Sequence, residues 1–339
     1  MSISNEMPPA EGCWRAAIIG CGQIAGGYDS GPNSQGINTH AQAYKTEPGV
    51  RLIAVADTDK DRAERFANTW KVPAWYTSGG EMLKAERPEI VSICTPDSTH
   101  QELLMTCLSS PSVRAIWCEK PLGLNLHQAA SGVAACEEKK VVLAVNYQRR
   151  WDPAFQRIGA AIRGGEFGRI QKVVGFYTKG IRHNGSHLVD LLISWFGRPV
   201  REEVFGWLTD FSPDDPTVDA RLDFDSVVAY LIGLDERAFS LFEIDVIGSR
   251  LRINIEDFGY RIRWSNLVQD PRFPDHAMLQ AASIEETELF QCMPRTLQDI
   301  LDALRFGREV QSNGRTALLT LEICDRLASL ARKGESCRN

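Results

Sequence analysis

Short, nearly continuous apolar runs punctuate the first part of the chain: RAAIIG (15–20), RLIAVAD (51–57), IVSICT (90–95), RAIWCEK (114–120) and KVVLAVNY (140–147). Parallel strands read this way because helices cover both of their faces. Stretches between them, such as KDRAERFANTW and STHQELLMTCLSS, have helical spacing, so the pattern predicts βαβ units. After Trp151 the rhythm changes. RLDFDSVVAYLIGL, AFSLFEIDVIG, SRLRINIED and YRIRWSNL alternate apolar with polar positions and are joined by Gly or acidic residues, which predicts antiparallel links. DFSPDDPTVD (210–219) reads as an exposed Pro/Asp-rich loop. TLQDILDALRFG and RTALLTLEICDRLASLARKG read as closing helices. The expected class is α/β, with a doubly wound parallel sheet over 1–148 and an α+β domain over 149–339.

Composition narrows the function. A chain of 339 residues suits two domains, and 43% hydrophobic with 24% charged residues marks a soluble globular protein. A net charge of -6 argues against a general nucleic-acid or anionic-membrane binder. The nine cysteines form no C-x-x-C pair, so no structural zinc module is expected, and reduced thiols in a cytoplasmic protein are. MSISNEMPPAEG lacks the features of a signal peptide, and no stretch approaches the ~20 apolar residues that span a bilayer.

Candidate chemistry begins at AAIIGCGQIAGGYD, which sets Gly20, Gly22 and Ala25 in a G-x-G-x-x-A spacing behind an apolar strand. Gly20 permits the tight turn, Gly22 lets backbone approach a pyrophosphate, and Ala25 keeps helix and strand close. Gln23 and Ile24 open the helix whose free N–H groups face the phosphates. Asp57 ends the next strand. Its carboxylate there accepts ribose hydroxyls and repels a 2′-phosphate, which favours NAD over NADP; a plain turn residue is the alternative. The long separation from the glycine turn reflects an insertion, GGYDSGPNSQGINTH.

Three further stretches, SICTPDSTH (92–100), CEKPLGLN (118–125) and NYQRRWDPAF (146–155), together with the closing NGRTALLTLEICDRLASLARKG, resemble the Gfo/Idh/MocA oxidoreductases. The resemblance implies an N-terminal Rossmann domain and a C-terminal domain with a large open, mostly antiparallel sheet, used for homodimers or homotetramers. It implies a nicotinamide cofactor and hydride transfer to or from a secondary alcohol of a sugar, sugar acid, nucleotide-sugar or cyclitol. Lys120 of the E-K-P motif is then the residue at the reacting hydroxyl, before a cis Pro121. Thr95, Pro96, His100 and Glu119 fall on the cofactor side.

KGIRHNGSHLVDLLISWFG (179–197) carries two of the six histidines, His183 and His187, with Asp190 behind them. The family's D-x-G-x-H-x-x-D pattern matches at His187 and Asp190, while His183 stands where aspartate is usual. An imidazole suits proton exchange with an alcohol near neutral pH, so His187 is the expected acid/base, with His183 as a second proton group or substrate ligand. Asn184 is the expected N-cap, and Leu188, Leu191, Leu192 and Trp195 the buried stripe. Asp190 is expected to steady His187 or bind a substrate hydroxyl. Zinc at His183 and His187 would lack the Glu of H-E-x-x-H, and no metal is expected. Arg150 and Arg182, with Arg149 and Lys179, border the expected cleft and point to an anionic sugar, or are salt-bridged surface cations. The competing readings are a non-catalytic dinucleotide-binding regulator and a metal-dependent hydrolase.

Overall fold

A computed structural model describes residues 13–31 and 36–333. The N-terminal residues 1–12, part of the insertion (32–35) and Cys337 lie outside the described residues. The chain divides into two units, one running to Asn146 and including Phe290–Gly314, the other formed by Tyr147–Leu289 and the chain from Arg315 on. This corrects the expected split at 148/149: the boundary lies slightly earlier, and a late segment returns to the first unit.

In the first unit the apolar runs become β1 (Trp14–Ile19), β2 (Val50–Ala56), β4 (Ile90–Ile93), β5 (Ala115–Cys118) and β6 (Val142–Val145), with a short β3 (Ala74–Tyr76). They form one parallel sheet in the order β3-β2-β1-β4-β5-β6, the doubly wound arrangement that binds ligands beyond the strands' carboxyl ends. Helices α1 (His40–Thr46), α2 (Lys60–Trp70), α3 (Gly79–Glu86), α4 (His100–Leu108) and α5 (Leu126–Glu138) connect the strands. Thr39, Asp59, Ser78 and Asn125 cap four of them through side-chain oxygens. The returning helix Cys292–Phe306 buries Met293, Leu297, Ile300 and Leu301 in the same core as Ile18, Tyr44 and Trp117. That apolar stripe is why it belongs here.

The second unit holds an eight-stranded open sheet in the order β14-β13-β12-β11-β7-β10-β9-β8. Its members are β7 (Ile170–Thr178), β8 (Arg201–Ser212), β9 (Asp215–Asp223), β10 (Val228–Leu234), β11 (Phe242–Gly248), β12 (Leu251–Glu256), β13 (Arg261–Gln269) and β14 (Ala277–Glu286). Only β7 with β10 is parallel; the other pairs are antiparallel. Helices α6 (Pro153–Arg163) and α7 (Ser186–Phe196) belong to this unit, and Leu188, Leu191, Leu192 and Trp195 of α7 are buried as the stripe predicted. Gly175 on β7 lacks a side chain where Leu188 presses in.

The expected loop at 210–219 is a hairpin instead: β8 and β9 pair across it, and Asp215–Ala220 are buried. Asp215 and Asp219 turn inward because they have backbone donors to satisfy. Asp215 accepts from Arg182 N at 2.8 Å and His183 N at 3.0 Å, and Asp219 accepts from Gly233 N at 2.9 Å. A buried carboxylate bonded in this way is tolerated. No helix among the described residues is long and apolar enough to cross a membrane.

Candidate active site

The glycine turn follows β1. Gly20 takes φ +92, and a Cβ there would sit 2.7 Å from the Cys94 backbone, so only glycine fits. A Cβ on Gly22 would meet no protein atom within 4 Å. The backbone is bare at that point, as close approach by a pyrophosphate requires. Ala25 is fully buried, in keeping with close helix–strand packing.

The helix after this turn is present but cut in two. Gly26 N donates to Gly22 O, and Tyr28 N to Gln23 O, closing a first turn around Gln23 and Ile24. The insertion then leaves, and on its return His40 N donates to Ile24 O and Ala41 N to Ala25 O. The ladder therefore resumes across the insertion, whose base Asp29 ties by accepting from Asn38 N at 2.8 Å and Thr39 Oγ1 at 2.7 Å.

Asp57 stands at the end of β2 with its carboxylate turned to the glycine turn. Oδ2 accepts from Cys21 N at 2.9 Å and Oδ1 from Asp59 N at 2.9 Å. Arg62 Nη1 approaches to 3.4 Å. Burial, with the charge of Asp57, pushes the Cys21 thiol up to about 12, so it stays an unreactive neutral group.

Loops after β4 and β5 reach the same edge of the sheet. His100, fully buried, sets Nδ1 2.7 Å from Pro121 O and Nε2 2.8 Å from Thr95 O. It staples the turn at Thr95 and Pro96 to the segment holding Lys120, a structural role. The Lys120–Pro121 peptide is cis, as expected. Glu119, expected at the cofactor, is instead bound inside the unit through Oε1, which accepts from His40 Nε2 at 3.0 Å and Asn146 Nδ2 at 2.6 Å.

In the second unit β7 runs into a π-helical turn, Gly180–Gly185, which continues as α7. Such turns are rare and recur at functional sites. Lys179 and Gly180 both take positive φ, and a Cβ on Gly180 would collide with the Asp215 carboxylate. Asp215 from below and Thr217 Oγ1, 2.7 Å from Gly180 N, thus shape the turn that carries His183. Asn184 lies inside this turn and is not the N-cap; Gly185 holds that position without a side-chain bond. His183 packs its ring 4.8 Å from that of Phe211, and His187 meets Tyr147 edge-on at 5.7 Å. Burial pushes the Tyr147 phenol well above its ordinary value, so Tyr147 is a neutral wall for the imidazole.

The expected substrate cations have partners of their own. Arg150 forks onto Asp190, Arg182 Nε lies 2.6 Å from Asp325 Oδ1, and Arg149 donates to Phe258 O at 2.7 Å while covering the Phe242 ring. Lys179 Nζ is 3.9 Å from Glu236. Asp190 is accordingly held by Arg150 and by Thr320 Oγ1 at 3.2 Å. Among the described residues no cluster of His, Cys, Asp and Glu could hold a metal ion. Sequence reasoning missed His40, Asn146 and Asp215; a histidine directly behind a Thr N-cap was the available sign of the first.

Residues 14–147 match the family model described as an oxidoreductase family with an NAD-binding Rossmann fold. Over that stretch the chain is similar to the Gfo/Idh/MocA oxidoreductases. Two curated relatives are similar over part of the chain. D-apiose dehydrogenase of Paraburkholderia graminis is 31% identical over 155 residues, 46% of this chain and 38% of that protein. scyllo-Inositol 2-dehydrogenase (NAD(+)) of Bacillus subtilis is 29% identical over 187 residues, 53% and 51% of the two chains. The chain thus spans about half or less of the length of these curated relatives. A solved structure, a putative NADPH-dependent oxidoreductase from Desulfitobacterium hafniense, shares the fold over 95% of this chain and 96% of that one, with a TM-score of 0.79 at 17% identity.

Proposed function

We propose that this chain is an NAD-dependent oxidoreductase acting on a secondary CH–OH group of an uncharged sugar or cyclitol. One observation carries the reading: a single sheet edge presents both the open backbone at Gly22 and the lysine after Glu119. Bound nicotinamide supplies the hydride acceptor or donor. Gly20, Gly22, Gln23 and Ile24 hold its phosphates, and Asp57 its adenosine ribose, with Thr95 and Pro96 shaping the adjoining turn. Lys120 stabilises the charge that develops on the substrate oxygen. His187 exchanges the hydroxyl proton, and His183 with Asn184 contacts the polyol from the same turn.

The neutral substrate follows from charge. Arg149, Arg150, Arg182 and Lys179 each face acids, carbonyls or rings of their own unit, so their charge is already met there and does not call for a carboxylate or phosphate. D-apiose and scyllo-inositol, named for the two relatives, are of this uncharged class. We place the protein in the cytoplasm, where its eight described cysteines, all free thiols, would stay reduced. We also assign it a homodimer or homotetramer through the eight-stranded sheet, which sedimentation would test.

The deciding experiment follows NADH absorbance with D-apiose, scyllo- and myo-inositol against matched sugar acids and nucleotide-sugars. Turnover restricted to the neutral polyols is expected. Turnover only of the anionic set overturns the substrate reading, and tight NAD binding without turnover of any compound favours a regulator.

A further inference from the structure

The turn that carries His183 is built together with the tip of the β8–β9 hairpin. Asp210 Oδ2 accepts from Lys179 N at 3.2 Å and from Glu236 N at 2.9 Å, while Oδ1 accepts from Thr217 Oγ1 at 2.7 Å. Thr217 Oγ1 in turn accepts from Gly180 N, and the Asp215 carboxylate from the amides of Arg182 and His183. The amides of Lys179, Gly180, Arg182 and His183 therefore all end on side chains of one hairpin. The main chain under His183 is fixed.

A fixed backbone still leaves the side-chain torsions of a histidine open. The ring of Phe211, next along β8 from Asp210, lies 4.8 Å from that of His183 at an interplanar angle of 38°, within the range where aromatic rings attract. Lys179 Nζ lies 5.3 Å from the centroid of the same Phe211 ring, with Glu236 Oε1 3.9 Å from that nitrogen. Phe211 is 45% exposed. A ring so open contributes little to a core, and these two neighbours both lie on the segment the hairpin holds. The pairing also suits the residue present. The electron-rich face of a phenyl ring disfavours the carboxylate that the resemblance leads one to expect at 183, and accepts an imidazole.

We propose that Phe211 is a positioning residue for His183: its ring holds the imidazole in one orientation before substrate arrives, and so sets how tightly the polyol is bound rather than how fast it reacts. The proposal rests on the reading that His183 contacts the polyol. Ordering of the imidazole is met when the chain folds and is not repeated at each binding event. The hairpin acts as a template, its carboxylates and hydroxyl fixing the main chain and its phenylalanine the ring.

Two measurements on the full chain test it. In the first, the six histidines are isotope-labelled at Cε1 and followed by NMR without substrate, His183 being assigned by its loss in His183→Gln. Phe211→Leu should displace the His183 resonance, because the ring current is gone, and Phe211→Tyr, which keeps the ring, should leave it near the wild-type position. In the second, steady-state kinetics are run with a neutral polyol that the absorbance assay shows to be turned over. Phe211→Leu should raise KM about three- to tenfold with kcat within about twofold of wild type, and Phe211→Tyr should restore KM. In the His183→Gln background, Phe211→Leu should add less than about twofold, since no imidazole is left to hold. A His183 resonance that does not move overturns the proposal, as does an unchanged KM in Phe211→Leu or an effect that simply adds to that of His183→Gln. Phe211→Met replaces Phe211→Leu if the latter does not fold. A wild-type KM in His183→Gln would instead take His183 away from the substrate, a failure of the functional reading, and the resonance would then decide the ring contact by itself.

Discussion

Arg150 grips Asp190 on both carboxylate oxygens, Nε lying 2.7 Å from Oδ2 and Nη2 2.9 Å from Oδ1. Both side chains are almost wholly buried, so the pair fixes α7 against the segment that opens the second unit. Arg150→Ala strands a buried carboxylate and should cost about 3–5 kcal/mol near neutral pH in urea unfolding. Arg150→Lys, with one point charge for a fork, should recover only part of it. Burial raises the Asp190 carboxyl above its ordinary 3.8, against the opposing charge of Arg150. Folding therefore favours its protonated form: this contribution is complete below the unfolded value and lost as pH rises through the folded one. Without Arg150 that loss deepens, so the deficit against wild type should shrink toward acid. A deficit independent of pH would assign the cost to packing alone.

Gly20 and Gly22 should separate fold from cofactor binding. Gly22→Ala meets no protein atom and should leave stability within about 0.5 kcal/mol, while weakening NAD binding at least about tenfold by intruding on the phosphate approach. Gly20→Ala, with its positive φ and contact on Cys94, should destabilise the apo chain by about 1–3 kcal/mol. Calorimetric melting and fluorescence titration with NAD measure both.

Asp57 and Arg62 make a paired test of cofactor choice. Asp57→Ala removes the repulsion toward a 2′-phosphate and releases Arg62, now 3.4 Å away. NAD affinity should fall and NADP affinity rise. Adding Arg62→Ala should cancel the gain for NADP. Unchanged preference in the single variant takes Asp57 out of the cofactor site.

Lys120→Ala and His187→Ala should each lower kcat by about 10²–10⁴ while leaving NAD affinity near the wild-type value. For His187 the lost limb of the pH–rate profile is the sharper reading, because a merely structural histidine would lower the rate at every pH alike.

Much of the parallel sheet was legible because burial on both faces demands unbroken apolar runs, and β1, β2, β4, β5 and β6 are such runs. β3 spans only Ala74–Tyr76, too short for any period to register. The 210–219 hairpin was misread because its aspartates look solvated until their backbone donors, in distant segments, are known. His40 was hidden by the cut helix, since no spacing rule counts across an insertion. Nor does composition show which core Cys292–Phe306 joins. Lys120 and His187 emerged through resemblance, and of the two readings given for the arginines, substrate cations or salt-bridged ones, Arg150 and Arg182 show salt-bridge partners.

The interrupted helix has a practical side. Because His40 and Ala41 bond back to Ile24 and Ala25, and Asp29 closes the neck, the segment between Asp29 and Asn38 is spliced in without disturbing the turns on either side. That makes the neck a grafting port: an environment-sensitive dye or a short affinity tag placed just behind Asp29 follows the glycine turn along the chain and should signal dinucleotide arrival optically, with the catalytic side chains left untouched.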